Sequence, residues 1–445
     1  MRASHDGGVT PARSASTVAI AAFAAAGLIA VIAVPWDAGV APWSDLATDA
    51  LSSFSAEQIA RIDAYVAAAW PPGVLSLVAG PIAAIGIALI PAVRRRITAI
   101  GSGREPARQG RLGRPAGPAR QGRLGRPAGP GSPVRRAVSD AIVAGIVLAI
   151  VRLAVLPFAI WSAQVRREAG LLVESWAAWW LRWLGESLAY VAVGALAITV
   201  GLAVLRRWPR RGWIAVTAGA GVAAMLITAV LPLVQRLEGT TADPALTARV
   251  MQIADRAGVD VGRVSVIAVA DTSPALNANV SGWGPTRSVT IYDTVATTMS
   301  DAEIDALIAH ELIHVREGDA VLGALLAILA ATGTAALACA LALSPRVRRW
   351  LGATSPSDAR VIPLVVAVFL VAALAATVAG ATISRPLESR ADREALALTG
   401  DADAYRSLIT TLAVTNRSTL TPAQWRYALL FTHPTPLQRL AAARS

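Results

Sequence analysis

Cysteine is almost missing from this 445-residue chain, lysine is missing altogether, and there are only four histidines. A single Cys339 excludes both a disulfide framework and a cysteine-ligated zinc site, so any metal must be held by His, Asp or Glu. Charge is also scarce: 16% of residues are charged against 55% hydrophobic, and the mean hydropathy is +0.53. That leaves too little polar surface for an ordinary soluble protein and points to a membrane protein. Without lysine every positive side chain is arginine or histidine, and arginine is concentrated. The stretch 94–136 holds 12 Arg and one Glu, so it alone carries +11 of the formal net charge of +12.

That stretch contains a verbatim tandem duplication, PARQGRLGRPAG at 106–117 and again at 118–129. Rich in Gly, Pro and Arg and lacking any apolar period, 94–136 is expected to be a disordered linker. A basic tail of this kind can bind nucleic acid or an anionic surface. With apolar segments on both sides the anionic lipid surface is the expected partner, and no nucleic acid is.

A membrane-spanning helix needs about 20 mainly apolar residues, and seven windows qualify: 17–34, 73–93, 141–161, 187–205, 213–234, 321–343 and 361–383. The third carries Arg152, the weakest feature of the set. The first resembles a signal peptide in length but lacks a small-residue cleavage site before the acidic stretch that follows, so an uncleaved anchor is expected. The loops 94–136, 206–212 and 344–360 are basic, and a count of seven spans puts all three on one side. The positive-inside rule makes that side cytoplasmic. The regions 235–320 and 384–445 then face outward across the cell membrane, and the Trp-rich stretch SWAAWWLRWL, 175–184, is expected as an interfacial helix on the same outer side.

Two of the four histidines lie in HELIHVREGD, 310–319, just before the sixth span. His310 and His314 are at i and i+4 on an apolar-backed helix, so both imidazoles leave one face toward one metal ion, with Glu311 beside them. In metallopeptidases of this pattern the carboxylate takes a proton from water that the metal activates. The seventh span emerges into SRPLESRAD, where Glu388 and Asp392 share a helical face. One can serve as third ligand while the other holds an imidazole N–H. Upstream, VSVIAVA at 264–270 and SVTIY at 288–292 are β-branched strands joined by a Gly, Asn and Pro loop. An edge strand there can pair with an extended peptide.

HELIHVREGD resembles the HtpX heat-shock membrane protease, and SRPLESRAD resembles a segment shared by HtpX and the CaaX prenyl proteases. The resemblance, which runs over roughly 140–445, implies an integral-membrane gluzincin binding one zinc ion per chain through His310, His314 and Glu388, with Glu311 as general base and Asp392 supporting the site. LNANVSGWGPTRSVTIYDTV, 276–295, resembles the family's Asn-Ala strand, which implies that Asn277 lines the cleft. Asn279 is a further substrate-binding candidate, although a turn Asn is an equal reading. THPTPLQRL resembles the family's C-terminal His-Pro motif ending in Arg. It implies that His433 stabilises an oxyanion or binds substrate, and it places Arg439 among the substrate-binding residues. LPFAIWSAQVRREAGL, 156–171, resembles the loop after the third span of the CaaX proteases. VREGD follows HtpX while the span count follows the CaaX proteases, so neither subgroup's substrate carries over. The resemblance also implies a cytosolic catalytic face, in conflict with the arginines, which favour the outer one.

The expected architecture is a mostly α polytopic bundle of about seven spans carrying a small α+β zincin-type metallopeptidase domain. It divides into a five-span region 1–234, a first peptidase segment 235–320, two spans in 321–383 and a second peptidase segment 384–445. The expected function is a membrane zinc endopeptidase acting on membrane-associated or misfolded proteins. A membrane sensor with a metalloprotease signalling domain needs a ligand-binding domain that no segment supplies. A transporter lacks support in paired intramembrane acids or an inverted repeat.

Overall fold

The computed structural model describes residues 10–38, 50–102 and 132–443. Apolar runs too long to be buried by one small domain form helices, because only an internally hydrogen-bonded backbone is stable in lipid. The first helices are α1 (Pro11–Ala33), α2 (Ala56–Leu89), α3 (Pro91–Ser102), α4 (Pro133–Glu168), α5 (Trp176–Arg207) and α6 (Gly212–Glu238). Next come β1 (Thr240–Thr241), α7 (Pro244–Ala257), β2 (Arg263–Ile267), β3 (Ala278–Ser281), β4 (Ser288–Tyr292), α8 (Asp293–Thr298) and α9 (Asp301–Arg316). The chain closes with α10 (Asp319–Leu343), α11 (Pro345–Leu351), α12 (Ile362–Thr399), α13 (Ala402–Thr415), α14 (Gln424–Leu430) and α15 (Pro436–Ala442).

Seven of these are long and apolar enough to cross a membrane, and each contains or overlaps one of the seven windows. The weak third span holds. Arg152 donates from Nε and a terminal nitrogen to Ser187 Oγ of α5 at 3.1 and 3.0 Å, and its guanidinium lies over Trp183 and Tyr190. The charge is covered by neighbouring helix side chains rather than left to lipid.

Several helices outrun the bilayer. α2 has 34 residues, about 51 Å at 1.5 Å per residue against a hydrocarbon layer of about 30 Å. Its first turns, capped by Ser55 with Gln58, stand in the polar domain, where Phe54 and Ile62 pack with Tyr405, Ile409, Leu437 and Leu440. The division at 234 is therefore incomplete, because residues 50–62 help to build the core of the C-terminal segment. The Trp-rich stretch is not a separate interfacial helix either. Ser175 caps it, and it is the opening of the continuous 32-residue α5. The expected linker 94–136 is helical at both ends, in α3 and at the start of α4. Its duplicated part, 106–129, lies outside the described residues.

The basic loops meet at one end of the bundle. Arg94 donates to the carbonyls of Ala88 and Trp350, and Arg206 pairs with buried Asp140 and donates to the Ser357 carbonyl. At the opposite end a four-stranded sheet in the order β1-β2-β4-β3 runs β2 parallel to β4, with β3 antiparallel to β4. α7 and α9 cover it through Val250, Ile253, Val264, Val289, Ile291, Ile308, Leu312 and Ile313. That core fixes the position of α9.

Candidate active site

α9 is anchored before it presents any chemistry. Ser300 and Glu303 form a capping box at its start, and the same Glu303 accepts from Ser407 and Thr411 of α13 at 2.9 and 2.7 Å. From this fixed rod His310 and His314 project together, ring centroids 4.8 Å apart and Nε2 atoms 3.2 Å apart. α12 supplies the third group. It runs unbroken from the seventh span through Glu388, whose carboxylate oxygens lie 3.2 Å from His310 Nε2 and 3.5 Å from His314 Nε2. Ligand atoms of these three residues all fall within 4.8 Å of one another.

The far side of each ring faces a carboxylate. His310 Nδ1 is 3.0 Å from Asp392 Oδ1, and His314 Nδ1 is 2.7 Å from Asp319 Oδ2. A proton on each Nδ1 leaves both Nε2 lone pairs pointing at the same spot as the buried Glu388 carboxylate, whose Oε2 is 3.2 Å from His310 Nε2. Three converging electron-pair donors are repulsive unless a cation sits among them. Two imidazoles and one carboxylate, with a fourth direction open to the cleft, are a donor set suited to catalytic zinc.

Electrostatics agree. Burial alone would lower both imidazole pKa values, but the carboxylates outweigh it, with Asp392 and Glu388 holding His310 up at about 9 and Asp319 and Glu388 holding His314 up at about 10. The site therefore demands positive charge. Burial pushes the Glu311 carboxyl above its ordinary range, opposed by the two histidines, which makes its carboxylate a stronger base.

Asp392 is in turn fixed by Arg439, whose Nε and a terminal nitrogen meet its two oxygens at 2.9 and 2.6 Å. Arg439 borders the cavity, yet its guanidinium is engaged by Asp392, so it braces the site rather than presenting a free cation to substrate. His433 stands at the mouth with Nε2 3.3 Å from Glu388 Oε2 and Nδ1 2.9 Å from Thr432 Oγ1. Its segment is held down by Arg385 of α12, which donates to the carbonyls of Tyr427 and Phe431. Asn277, His310, Glu311, His433 and Arg439 border one cavity of about 480 Å³, with Leu307, Leu408, Ile409 and Leu412 as its apolar wall.

β3 is the edge strand beside this cavity. Asn277 accepts from the Tyr292 N–H, and in an antiparallel pair the hydrogen-bonded positions alternate. Asn277, Asn279 and Ser281 thus pair with β4, leaving the N–H and C=O of Ala278 and Val280 on the open edge. Asn279 does not border the cavity, and its Oδ1 is buried without a partner.

Asp319 escaped the sequence reading. It lies five residues past His314, beyond a turn in which Gly318 adopts a left-handed φ of +74°, so helical spacing does not align it with the histidines. Its second oxygen accepts from Arg390 of α12, which mirrors the Arg439 brace on Asp392. The Gly-Asp pair directly after the HELIH helix was the available signal. Asp319→Asn is expected to weaken zinc binding about 10–100-fold, the usual effect of losing a group that orients a ligand. Competition against a chromophoric chelator measures this, and an unchanged affinity would remove Asp319 from the site.

Long apolar helices bearing a His-His-Glu cluster whose His310 and Glu388 are buried, with a carboxylate beside it in a cleft, define a membrane protein of metallopeptidase type. The comparisons agree: residues 240–445 match the Peptidase family M48 model. The chain is 25% identical over 205 residues to an uncharacterized metalloprotease, YhfN, of Bacillus subtilis, covering 44% of this chain and 47% of that protein. It is 30% identical over 177 residues to a protease HtpX homolog of Ralstonia nicotianae, 39% of this chain and 57% of the relative. The homolog from Nostoc punctiforme is 32% identical over 161 residues, 36% and 53% of the two chains. The chain thus spans about half the length of the curated relatives it matches. A crystal structure of S. mikatae Ste24p superposes with a TM-score of 0.68 at 17% identity, covering 98% of this chain and 99% of that one. The shared fold includes the seven-helix region.

Proposed function

We propose that this chain is a zinc-dependent endopeptidase of the cell membrane that hydrolyses peptide bonds in membrane-associated or misfolded proteins. The convergence of His310, His314 and Glu388 within 4.8 Å, with Glu311 in the adjoining cleft, carries this reading. Zinc, when bound, supplies a Lewis acid that lowers the pKa of water to about 7 and polarises a carbonyl. The protein's own residues do the rest. The open edge of β3 holds the substrate backbone extended beside the site. Glu311 accepts the proton of the attacking water and returns it to the departing amine. His433, on the cleft rim, donates to the oxygen that gains charge at the attacked carbon. Asp392 and Asp319, each braced by an arginine, keep the imidazoles aimed.

Removing metal with a chelator is expected to abolish hydrolysis of denatured casein by the purified protein, and stoichiometric zinc is expected to restore it. Activity that survives complete metal removal would rule out this function.

The catalytic domain is assigned to the outer face. The loops containing Arg94, Arg206 and Arg348 gather at the end of the bundle opposite the sheet, and positively charged short loops stay inside. The arginine-rich duplicated segment is assigned to anionic lipid on its composition. A C-terminal epitope is expected to be protease-accessible in intact cells, and protection of that epitope would place the site in the cytoplasm.

A further inference from the structure

Beyond the metal site, a second cavity of about 310 Å³ opens where the sheet domain meets the membrane. Its walls come from both parts. Val280, Ser281 and Trp283 line it from β3 and the turn after it, and Leu231, Val321 and Ala324 line it from α6 and α10. Leu231 lies five residues before Arg236, the first charged residue of α6, and Val321 is the third residue of α10, so this cavity lies near the rim of the apolar layer. Trp283, on the sheet side of the cavity, is 39% exposed, so the apolar surface is open there. The shape is built in: Gly282 turns the chain with φ +87°, and a Cβ there would come within 2.5 Å of the Thr286 carbonyl oxygen.

Two elements run from the first cavity to the second. β3 leaves the metal cleft at Asn277 and reaches the second cavity at Val280 and Ser281, four residues or about 13 Å along a strand. α9 lies beside it, with Glu311 in the first cavity and Val315 in the second, about 6 Å further along the helix. A peptide paired with the free edge of β3 therefore passes from the metal into this second space.

We infer that the second cavity is a subsite of the same cleft, taking an apolar side chain of the substrate three to four residues from the scissile bond. It rests on the peptidase reading above. Its occupant is an apolar residue of a segment leaving the bilayer, because five of the twelve lining residues, Leu231 and Val321 among them, belong to membrane helices and the opening lies near their ends. Arg287 also lines the cavity, but it donates to the Asp260 carbonyl, and a charged or small polar side chain would bury poorly against Leu231, Val321 and Trp283. The cavity thus selects substrates whose cut site lies a few residues from a membrane-anchored stretch.

The test is a cleavage profile. Full-length protein digests denatured casein, every cut is located by mass spectrometry, and the Glu311→Gln variant serves as blank. On one side of the cut, Leu, Ile, Val or Phe at the third or fourth position is expected to be favoured about tenfold over Ser or Asp, the scale of discrimination an apolar pocket provides. Ala324→Phe, which fills the cavity, is expected to erase that preference. Val321→Ala, which enlarges it, is expected to shift the preference toward Phe and Trp. A variant that merely misfolded would cut nothing and would not change its preference. Efficient cutting with no apolar preference at these positions, or an unchanged preference in Ala324→Phe, overturns the subsite alone. Absence of any cutting by the zinc-loaded wild type overturns the peptidase reading and the subsite with it.

Discussion

Replacing Glu311 by Gln is expected to lower turnover of casein by about two to four orders of magnitude while leaving zinc bound. The amide has the shape of the carboxylate and fills the same place in the cleft, but it cannot accept a proton. His310, His314 and Glu388, which converge on one another and not on Glu311, are untouched by the change. Burial raises the Glu311 pKa, against the pull of the two histidines. The amide removes proton transfer and keeps the shape of the cleft, so the loss falls on the chemical step rather than on substrate binding. Metal analysis of the variant together with its initial rate separates the two effects. Full zinc with turnover within about tenfold of wild type would falsify the assignment of Glu311 as the base.

Much of the architecture was legible in the sequence because lipid imposes a simple rule. A run of about 20 apolar residues must be a helix, and each of the seven windows coincides with one. The HELIH helix was legible for a similar reason, since an i, i+4 pair of imidazoles needs only local geometry to share a face. What the sequence concealed is tertiary. Composition cannot reveal that Arg439 reaches back 47 positions to Asp392, and a His-Pro motif ending in Arg suggests a substrate contact instead. Nor does an acidic loop announce that Phe54 and Ile62 will pack beneath Tyr405 and Leu437. The Trp-rich stretch was misplaced because indoles favour an interface, which is satisfied as well by the end of a spanning helix as by a separate one.

The division of labour between Glu388 and Asp392 is the assignment with most at stake, because the two acids sit four residues apart on one helix and both touch His310. Glu388 meets the Nε2 atoms of both histidines, whereas Asp392 meets only the Nδ1 of His310 and is bonded by Arg439. A metal among the Nε2 atoms is therefore within reach of Glu388. Glu388→Ala is expected to leave a two-ligand site that no longer holds stoichiometric zinc, with the fold intact. Asp392→Ala is expected to weaken zinc binding only about 10–100-fold, but at a cost that Glu388→Ala does not share. It leaves Arg439, 13% exposed in its side chain, as an unpaired buried cation, and breaking such a pair destabilises a protein by about 3–5 kcal/mol. Zinc titration and thermal unfolding of the two metal-free variants should thus rank them in opposite orders. Among the described residues, His433, 3.3 Å from Glu388 Oε2, is the rival ligand at hand. Stoichiometric zinc in Glu388→Ala that is lost on further changing His433→Ala would transfer the third position to the histidine.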